Sequence, residues 1–330
     1  MRAGRIDIRV LVPFVLVAAL VFAVPLMTSD RYLLKVFTFV GVNVIIVTGM
    51  ALLFGYAGQV SLGHAAFYGI GAYASAYVVK TLGWPWLGGI AAAVALTAVG
   101  GLLLALPSLR LKGHYLAMAT LGFGEIMRVV FVEARSVTGG PDGFSGIPYA
   151  SVGGLSFDTP AANYWLIWGV AAGVLLLAAN LVRSRAGRAM RALHGSESGA
   201  MACGVDLTGL KVRVFVISAV LAGLAGALYA HVVGFISPST FSLHVSVVLV
   251  AMAVLGGTRS LVGPALAATL LTLIPFADAV IPGLSRSALE TIQEWQEDIY
   301  GLTIIAVMIF MPAGLAGMLR RIGVSGRRER

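Results

Sequence analysis

Glu125 and Arg128 stand inside the apolar run LGFGEIMRVV, three positions apart. On a helix that spacing puts both on one face, where a carboxylate and a guanidinium can pair. Charges inside a membrane span are costly and usually face a protein interior or a water-filled cavity. The pair is therefore either a polar element of a passage or a structural ion pair locking two helices together. Asn43, Gln59, Ser61 and His64 form a second polar set, in and beside the stretch GYAGQVSLGHAAFYGIGAYASAY. That stretch is dense in small residues. Such residues let helix backbones approach closely, and they also tolerate unwinding where a cavity is lined. Close packing and a polar passage both fit it.

Covalent catalysis is not indicated. The chain has no Walker A sequence, no H-E-x-x-H and no G-x-S-x-G elbow. His64, His114, His194, His231 and His244 are scattered, without metal-ligand spacing. The single cysteine, Cys203, excludes an intrachain disulfide and a cysteine metal cluster. The expectation is a chain that is not an enzyme and binds no metal or cofactor of its own. If energy is spent, a nucleotide site on another subunit or an ion gradient must supply it.

These residues are positioned by a membrane. The chain has 330 residues, 59% hydrophobic and only 11% charged, with mean hydropathy +0.94. A soluble protein has about a quarter of its residues charged. The formal charge of +9 could suggest nucleic acid, but the cations sit in short loops and at the termini, which is a membrane-topology pattern. The expected fold is all-α: one polytopic transmembrane domain over 1–330 with about ten transmembrane helices, eight at the fewest. The candidate spans are Val10–Met27, Leu34–Phe54, Val60–Val79, Trp86–Leu106, Tyr115–Val132, Asn163–Val182, Val212–Gly234, His244–Leu255, Leu261–Ile281 and Ile299–Leu319. The third is rich in Gly and Ser and the eighth is short, so either could be broken or partly inserted. The N-terminal run follows Arg2, Arg5 and Arg9 and has no clear cleavage site, which favours a retained span over a signal peptide.

Charge bias gives the expected orientation. Ten spans put both termini, Arg110/Lys112, Arg259 and the segment 183–213 in the cytoplasm, and the opposite loops are poor in Lys and Arg. Segment 183–213 carries Arg183, Arg185, Arg188, Arg191, Lys211 and Arg213 against Glu197 and Asp206. It is long enough for a partner to grip, and it is equally explained as a solvated loop that sets topology. Two outer segments stand out. Residues 133–162 contain TGGPDGFSGIP, a turn-rich cap. In Pro282–Asp298, SALETIQEWQED reads as a short amphipathic helix with Ser285 or Ser287 as N-cap. That cation-poor face would suit a soluble partner or be a plain connector. In FVISAVLAGLAGALYAH, Ala219/Gly223 and Ala222/Gly226 are small-x-x-x-small pairs, suited to packing within the subunit or to a dimer contact. GQVSLGHAA and GTRSLVGPA share a Gly-x-x-Ser-Leu start, a match that a Gly-, Ala- and Leu-rich composition explains by chance.

Three separated segments carry a family resemblance: Gly55–Tyr77, then LAMATLGFGEIMRVV with TGGPDGFSGIP after it, and Gly187–Ala230. Together they resemble the permease subunits of branched-chain amino acid (leucine–isoleucine–valine type) ABC importers, over roughly residues 35–320. The outer segment is similar to that of the larger of the two permease types that pair in such importers. The resemblance implies a bacterial inner-membrane permease working by alternating access. It implies a second permease subunit, similar or identical, two cytoplasmic ATPase subunits that carry ATP and Mg, and a soluble substrate-binding protein outside. It also implies a coupling helix around Arg188, Arg191, Glu197, Gly199, Ala200 and Gly204, docked into the ATPase. The candidate pathway residues for such a permease are the polar residues of the spans, Asn43, Gln59, Ser61, His64, Glu125 and Arg128. The family pattern is close to RAIREN-E-x-A-A-x-A-x-G-I. Here Leu193–Ser196 depart from it, and Gly199 replaces a common Ala at a cost of about 1 kcal/mol in helix propensity. Other cargoes (urea, short amides, other small carboxylates) suit the same architecture. An ion-coupled secondary transporter and a membrane scaffold are the readings from other classes.

Overall fold

The structure is a computed structural model and describes residues 30–108, 114–257, 260–277, 294–310 and 314–317. The expected first span Val10–Met27, the cations Arg110, Lys112 and Arg259, most of Pro282–Asp298 and the basic tail lie outside the described residues. Within them the chain is an all-α polytopic membrane protein, with one small hairpin. Among the described residues five helices are long and apolar enough to cross a membrane: α1 (Arg31–Met50, continued as a π-helical turn Ala51–Tyr56), α3 (Trp86–Ser108), α4 (His114–Glu133), α5 (Pro160–Arg183) and α8 (Leu207–Val233). The intervening α2 (His64–Lys80) is shorter, as are α9 (Leu243–Gly256), α10 (Val262–Leu273) and α11 (Gln296–Phe310). Two short helices, α6 (Arg185–Gly195) and α7 (Glu197–Ala202), fill the basic segment.

Helix ends follow local chemistry. Asp30 caps α1 through the Tyr32 N–H, Thr159 caps α5 just before Pro160, and Asp206 caps α8 through the Gly209 N–H. Gly234, at φ +74°, ends α8 in the left-handed turn that favours glycine.

The core is built around α1 and α8. α8 packs on α2, α3 and α1, while α5 packs on α1. The LAGLAG face of α8 is used inside the subunit. A Cβ at Gly226 would fall on the carbonyl of Tyr68, and one at Gly71 would fall on the backbone of Gly223. Small residues therefore set the α2–α8 distance by steric necessity.

The ends of the bundle are fixed by contacts. At one end Phe144 pairs with Ile236 across an isolated β-bridge, the Ile147 N–H donates to the Gly234 carbonyl, and Lys80 Nζ donates to the Ser145 carbonyl at 2.6 Å. The turn-rich segment 134–159 thus lies over the ends of α2 and α8. It contains the β1–β2 hairpin (Ser151–Val152 with Leu155–Ser156), turning through positive-φ Gly153 and Gly154. At the other end α6 and α7 pack beside the π-turn of α1 and the start of α8.

The two Gly-x-x-Ser-Leu segments share some local features at their described residues. Gly58 (φ +69°) and Gly257 (φ +92°) each follow a helix, Ser61 and Ser260 each accept a nearby backbone N–H, and a helix starts at once, at His64 and at Val262.

Candidate functional site

The expected third span does not begin at Val60. Residues 57–63 are non-helical, and α2 starts at His64. Non-helical backbone at membrane depth survives only where protein satisfies it. Three helices hold this junction and the first turn of α2. The Leu62 N–H donates to Thr120 Oγ1 of α4 at 2.9 Å, and the Ala65 N–H donates to Ser246 Oγ of α9 at 2.9 Å. His64 Nε2 lies 2.7 Å from Ser218 Oγ of α8, and its Nδ1 lies 3.2 Å from Ser61 Oγ. A neutral imidazole, one nitrogen donating and one accepting, suits two hydroxyls that rotate to match. Ser61 and His64 thus form a buried node with Ser218. Gln59 is buried beside it, and among the described residues its Oε1 has no hydrogen-bond partner. Ser218, Thr120 and Ser246 do not stand out in the sequence. Their one signal is a lone hydroxyl in an apolar span.

Asn43 sits elsewhere, in a cavity of about 300 Å³ between α1, α2, α8, α9, α10 and α11. Its Nδ2 donates to Thr272 Oγ1 at 2.8 Å. The walls are mainly aromatic and aliphatic, with Phe39, Tyr68, Tyr229, Phe276 and Tyr300 prominent, and Thr240 and His244 add polarity. Of the six expected pathway residues, Asn43 is the one that lines this cavity. An apolar chamber with a few polar groups is suited to a small ligand with a hydrocarbon side chain.

Glu125 and Arg128 pair at 2.8 Å within α4, and both side chains are about half exposed in the subunit. The contact lies within one helix, so it does not lock two helices of this chain together.

The basic segment is a capped double helix. Ser184 caps α6 through the Ala186 and Gly187 N–H groups, and Ser196 caps α7 through the Gly199 N–H. Gly187 is required, because a Cβ there would clash with the Val182 backbone. Met190 and Leu193 are buried on the inner face of α6. Gly204, at φ +76°, closes the element and lets the Val205 N–H reach the Ala200 carbonyl.

The six expected coupling residues divide. Arg188, Gly199 and Gly204 are exposed. Ala200 is buried. Arg191 donates to the Val182 carbonyl at the end of α5, and Glu197 pairs with Lys211 of α8 at 2.6 Å. Two of the charged residues therefore tie the element to the spans. Exposed Met201 joins the outward surface, a large apolar side chain among small ones.

Residues 32–310 match the family described as branched-chain amino acid transport system / permease component. The chain is 34% identical to the high-affinity branched-chain amino acid transport system permease protein LivM of Salmonella typhimurium, over 92% of this chain and 75% of that protein. It matches LivM of Escherichia coli K12 at the same identity and coverage. It is 25% identical to the LivH permease protein of the E. coli K12 high-affinity branched-chain amino acid system, over 83% of this chain and 90% of LivH. No solved structure matches at a significant level. The fold is that of an all-α polytopic membrane protein. The chain belongs to the branched-chain amino acid transport permease family.

Proposed function

We propose that the chain is one permease subunit of an ATP-driven importer that brings branched-chain amino acids into a bacterial cell by alternating access. The observation that carries the reading is the Lys211–Glu197 contact. In a chain of this permease family, it fastens the outward-facing α6–α7 element to a core helix. Two ATPase subunits, holding ATP and magnesium, dock on the surface around Arg188, Gly199, Met201 and Gly204. A soluble binding protein delivers substrate at the face covered by segment 134–159. The α6–α7 end is cytoplasmic, as are both termini. A second permease, similar or identical, completes the membrane part. The E. coli system whose name LivM and LivH share contains two such permease proteins.

One helix connects the parts. α8 holds the docking element through Lys211, the buried node through Ser218 and the cavity through Tyr229. From Lys211 to Tyr229 is about 27 Å of helix rise. A rigid helix held at both ends transmits closure of the ATPases as displacement of its far end, next to the cavity. Asn43, Gln59, Ser61, His64, Glu125 and Arg128 are the polar residues assigned to the pathway. The aromatic cavity suits leucine-like side chains.

The test is copurification and transport. The chain, expressed with its native partners and purified in mild detergent, should bring an ATPase with it. The reconstituted complex should take up leucine only with ATP on the docking side. Met201→Asp together with Arg188→Ala should release the ATPase while the permease stays monodisperse. Arg191 and Glu197 are poor choices for this test, since they also hold the element in place. Uptake by the chain alone, driven by an ion gradient, would replace this reading with a secondary transporter. Within the importer, Glu125→Gln at normal expression should lower uptake. Unchanged uptake would remove Glu125 from the pathway.

A further inference from the structure

Helix α3 carries no charged residue and has two distinct faces. Ala93, Thr97, Gly101 and Ala105 recur every four residues and are buried where α3 packs on α2 and α8. Leu87, Val99, Leu102 and Leu106 are exposed on the other side. An uncharged, hydrocarbon stripe on a spanning helix suits lipid tails. Trp84 heads this stripe. Its indole lies over the first turn of α3, where a Cβ added at Gly88 would sit 3.1 Å from the ring. The side chain is well exposed all the same. Tryptophan is enriched at the membrane–water boundary, where its amphipathic ring sits at headgroup level. Trp84 therefore marks that boundary on the side of segment 134–159.

The β1–β2 hairpin stands at the same height. His231 Nδ1 lies 2.7 Å from the Pro148 carbonyl, and the His231 and Trp86 rings are 6.4 Å apart between centroids. β1 follows at Ser151 and packs beside α3. The chain is thus held level with the first turn of α3. The hairpin is also amphipathic. Val152 pairs with Leu155 and Ser151 with Ser156. Neighbours along a strand point to opposite faces, so one face is apolar and the other polar. Leu155 is 72% exposed, and Val152 and Tyr149 are exposed as well. A Cβ added at Gly153 or Gly154 would meet nothing within 4 Å, so the tip stands clear of the described residues. No charged residue stands between Asp142 and Asp158.

We infer that the β1–β2 hairpin lies in the membrane interface, with its Val152–Leu155 face pressed into the leaflet beside Trp84, as a lipid anchor for the outer segment. Lipid is the occupant because the hairpin adjoins a helix with a hydrocarbon-facing stripe, at the height that Trp84 marks. At that depth water still reaches the hairpin's backbone polar groups and its two serines, so neither is stranded in hydrocarbon. The outer segment is then held by the β-bridge to Ile236, by His231 and by the bilayer itself. The inference needs the membrane fold alone, not the proposed mode of transport.

The test is a depth measurement in proteoliposomes that hold the complete importer. Cys203 is the one cysteine, so Cys203→Ser gives a clean background. Nitroxide labels on Leu155→Cys, Ser156→Cys and Val99→Cys occupy exposed positions and leave the fold in place. Oxygen concentrates in the bilayer and a water-soluble nickel chelate is excluded from it, so power saturation with each reads depth. The label at 155 should lie about 5–10 Å into the headgroup–acyl boundary, with 156 nearer water and 99 deeper. A label at 155 as open to the nickel chelate as that at 156 would leave the hairpin in water and overturn the inference. A label at 155 closed to both reagents would mean cover by protein and overturn it equally. As a second measurement, a benzophenone amino acid at position 155 should give lipid adducts by mass spectrometry. Cross-links to a binding protein or another permease chain, without lipid adducts, would make the hairpin a protein-docking surface instead. Both measurements are made without substrate or ATP. Failure of the ATP-driven reading would therefore appear in the uptake assay and leave this result standing.

Discussion

His64 Nε2 and Ser218 Oγ are 2.7 Å apart, joining positions 154 residues distant in the chain. The contact fastens the first turn of α2 to the interior of α8, at the point where the backbone has just resumed helical geometry. Ser218→Ala would leave a buried ring nitrogen without its partner, a loss of about 1–3 kcal/mol. The apparent melting temperature in detergent should fall by several degrees. Ser218→Thr keeps a hydroxyl and should lose less. Equal melting of Ser218→Ala and wild type would show that the node contributes nothing to holding α2.

The α2–α8 crossing is set by backbone against backbone. Gly226 and Gly71 have no room for a Cβ, whereas Gly169 and Gly173 on α5 have nothing within 4 Å. Gly226→Val forces main chains apart, which side-chain rotation cannot relieve, and should cost more than about 3 kcal/mol. Monodisperse protein should be lost on size exclusion. Gly169→Val should leave the yield within about twofold of wild type. Comparable losses at both sites would mean that α5 carries a contact of its own at Gly169.

Much of this was readable from residue type. LAGLAG announces a close helix crossing and TGGPDG a string of turns, whereas the N-caps at Ser184 and Ser196 emerge only in the structure. What was not readable depends on long-range placement. Thr120, Ser218 and Ser246 come from three helices to satisfy residues 61–65, and no local pattern reports which hydroxyl will meet which N–H. Arg191 and Glu197 look like outward charges in a basic loop, yet both turn inward because a helix end and Lys211 offer them partners. The cavity at Asn43 needs six helices to exist, and hydropathy treats most of its wall as ordinary apolar span.

Lys211 is largely buried and Glu197 about one-third exposed at their 2.6 Å contact. Its role in the proposed importer is transmission. Glu197→Gln should leave the ATPase bound and hydrolysing while weakening the link to α8. Coupling mutations of this kind are worth about 0.5–2 kcal/mol, or roughly 2- to 30-fold in uptake. The reading is uptake per ATP hydrolysed. The reversed pair, Glu197→Lys with Lys211→Glu, should recover part of it. Loss of ATPase binding in Glu197→Gln would instead make Glu197 a docking residue.

At the opposite end, His231 joins the outer segment to the bundle. Its Nδ1 lies 2.7 Å from the Pro148 carbonyl, which can only accept, so Nδ1 carries the proton. Nε2 is then the acceptor for the Ser75 hydroxyl at 2.9 Å. Gly143 supports the same closure: at φ +79° its added Cβ would meet the Ile236 carbonyl and the Phe235 ring. His231→Ala removes one tie and Gly143→Ala strains the β-bridge. Either should raise local opening of residues 139–157 by about 1–3 kcal/mol, roughly 5- to 150-fold. Protease added to right-side-out vesicles should then cut this segment faster in both variants, with wild type resistant. Cutting from the other membrane face would reverse the orientation inferred from charge. If the rate were unchanged, the ties would not be what holds the segment. Since a binding protein delivering substrate would land on this segment, a looser cover should also weaken delivery, and uptake should fall most at low substrate concentration.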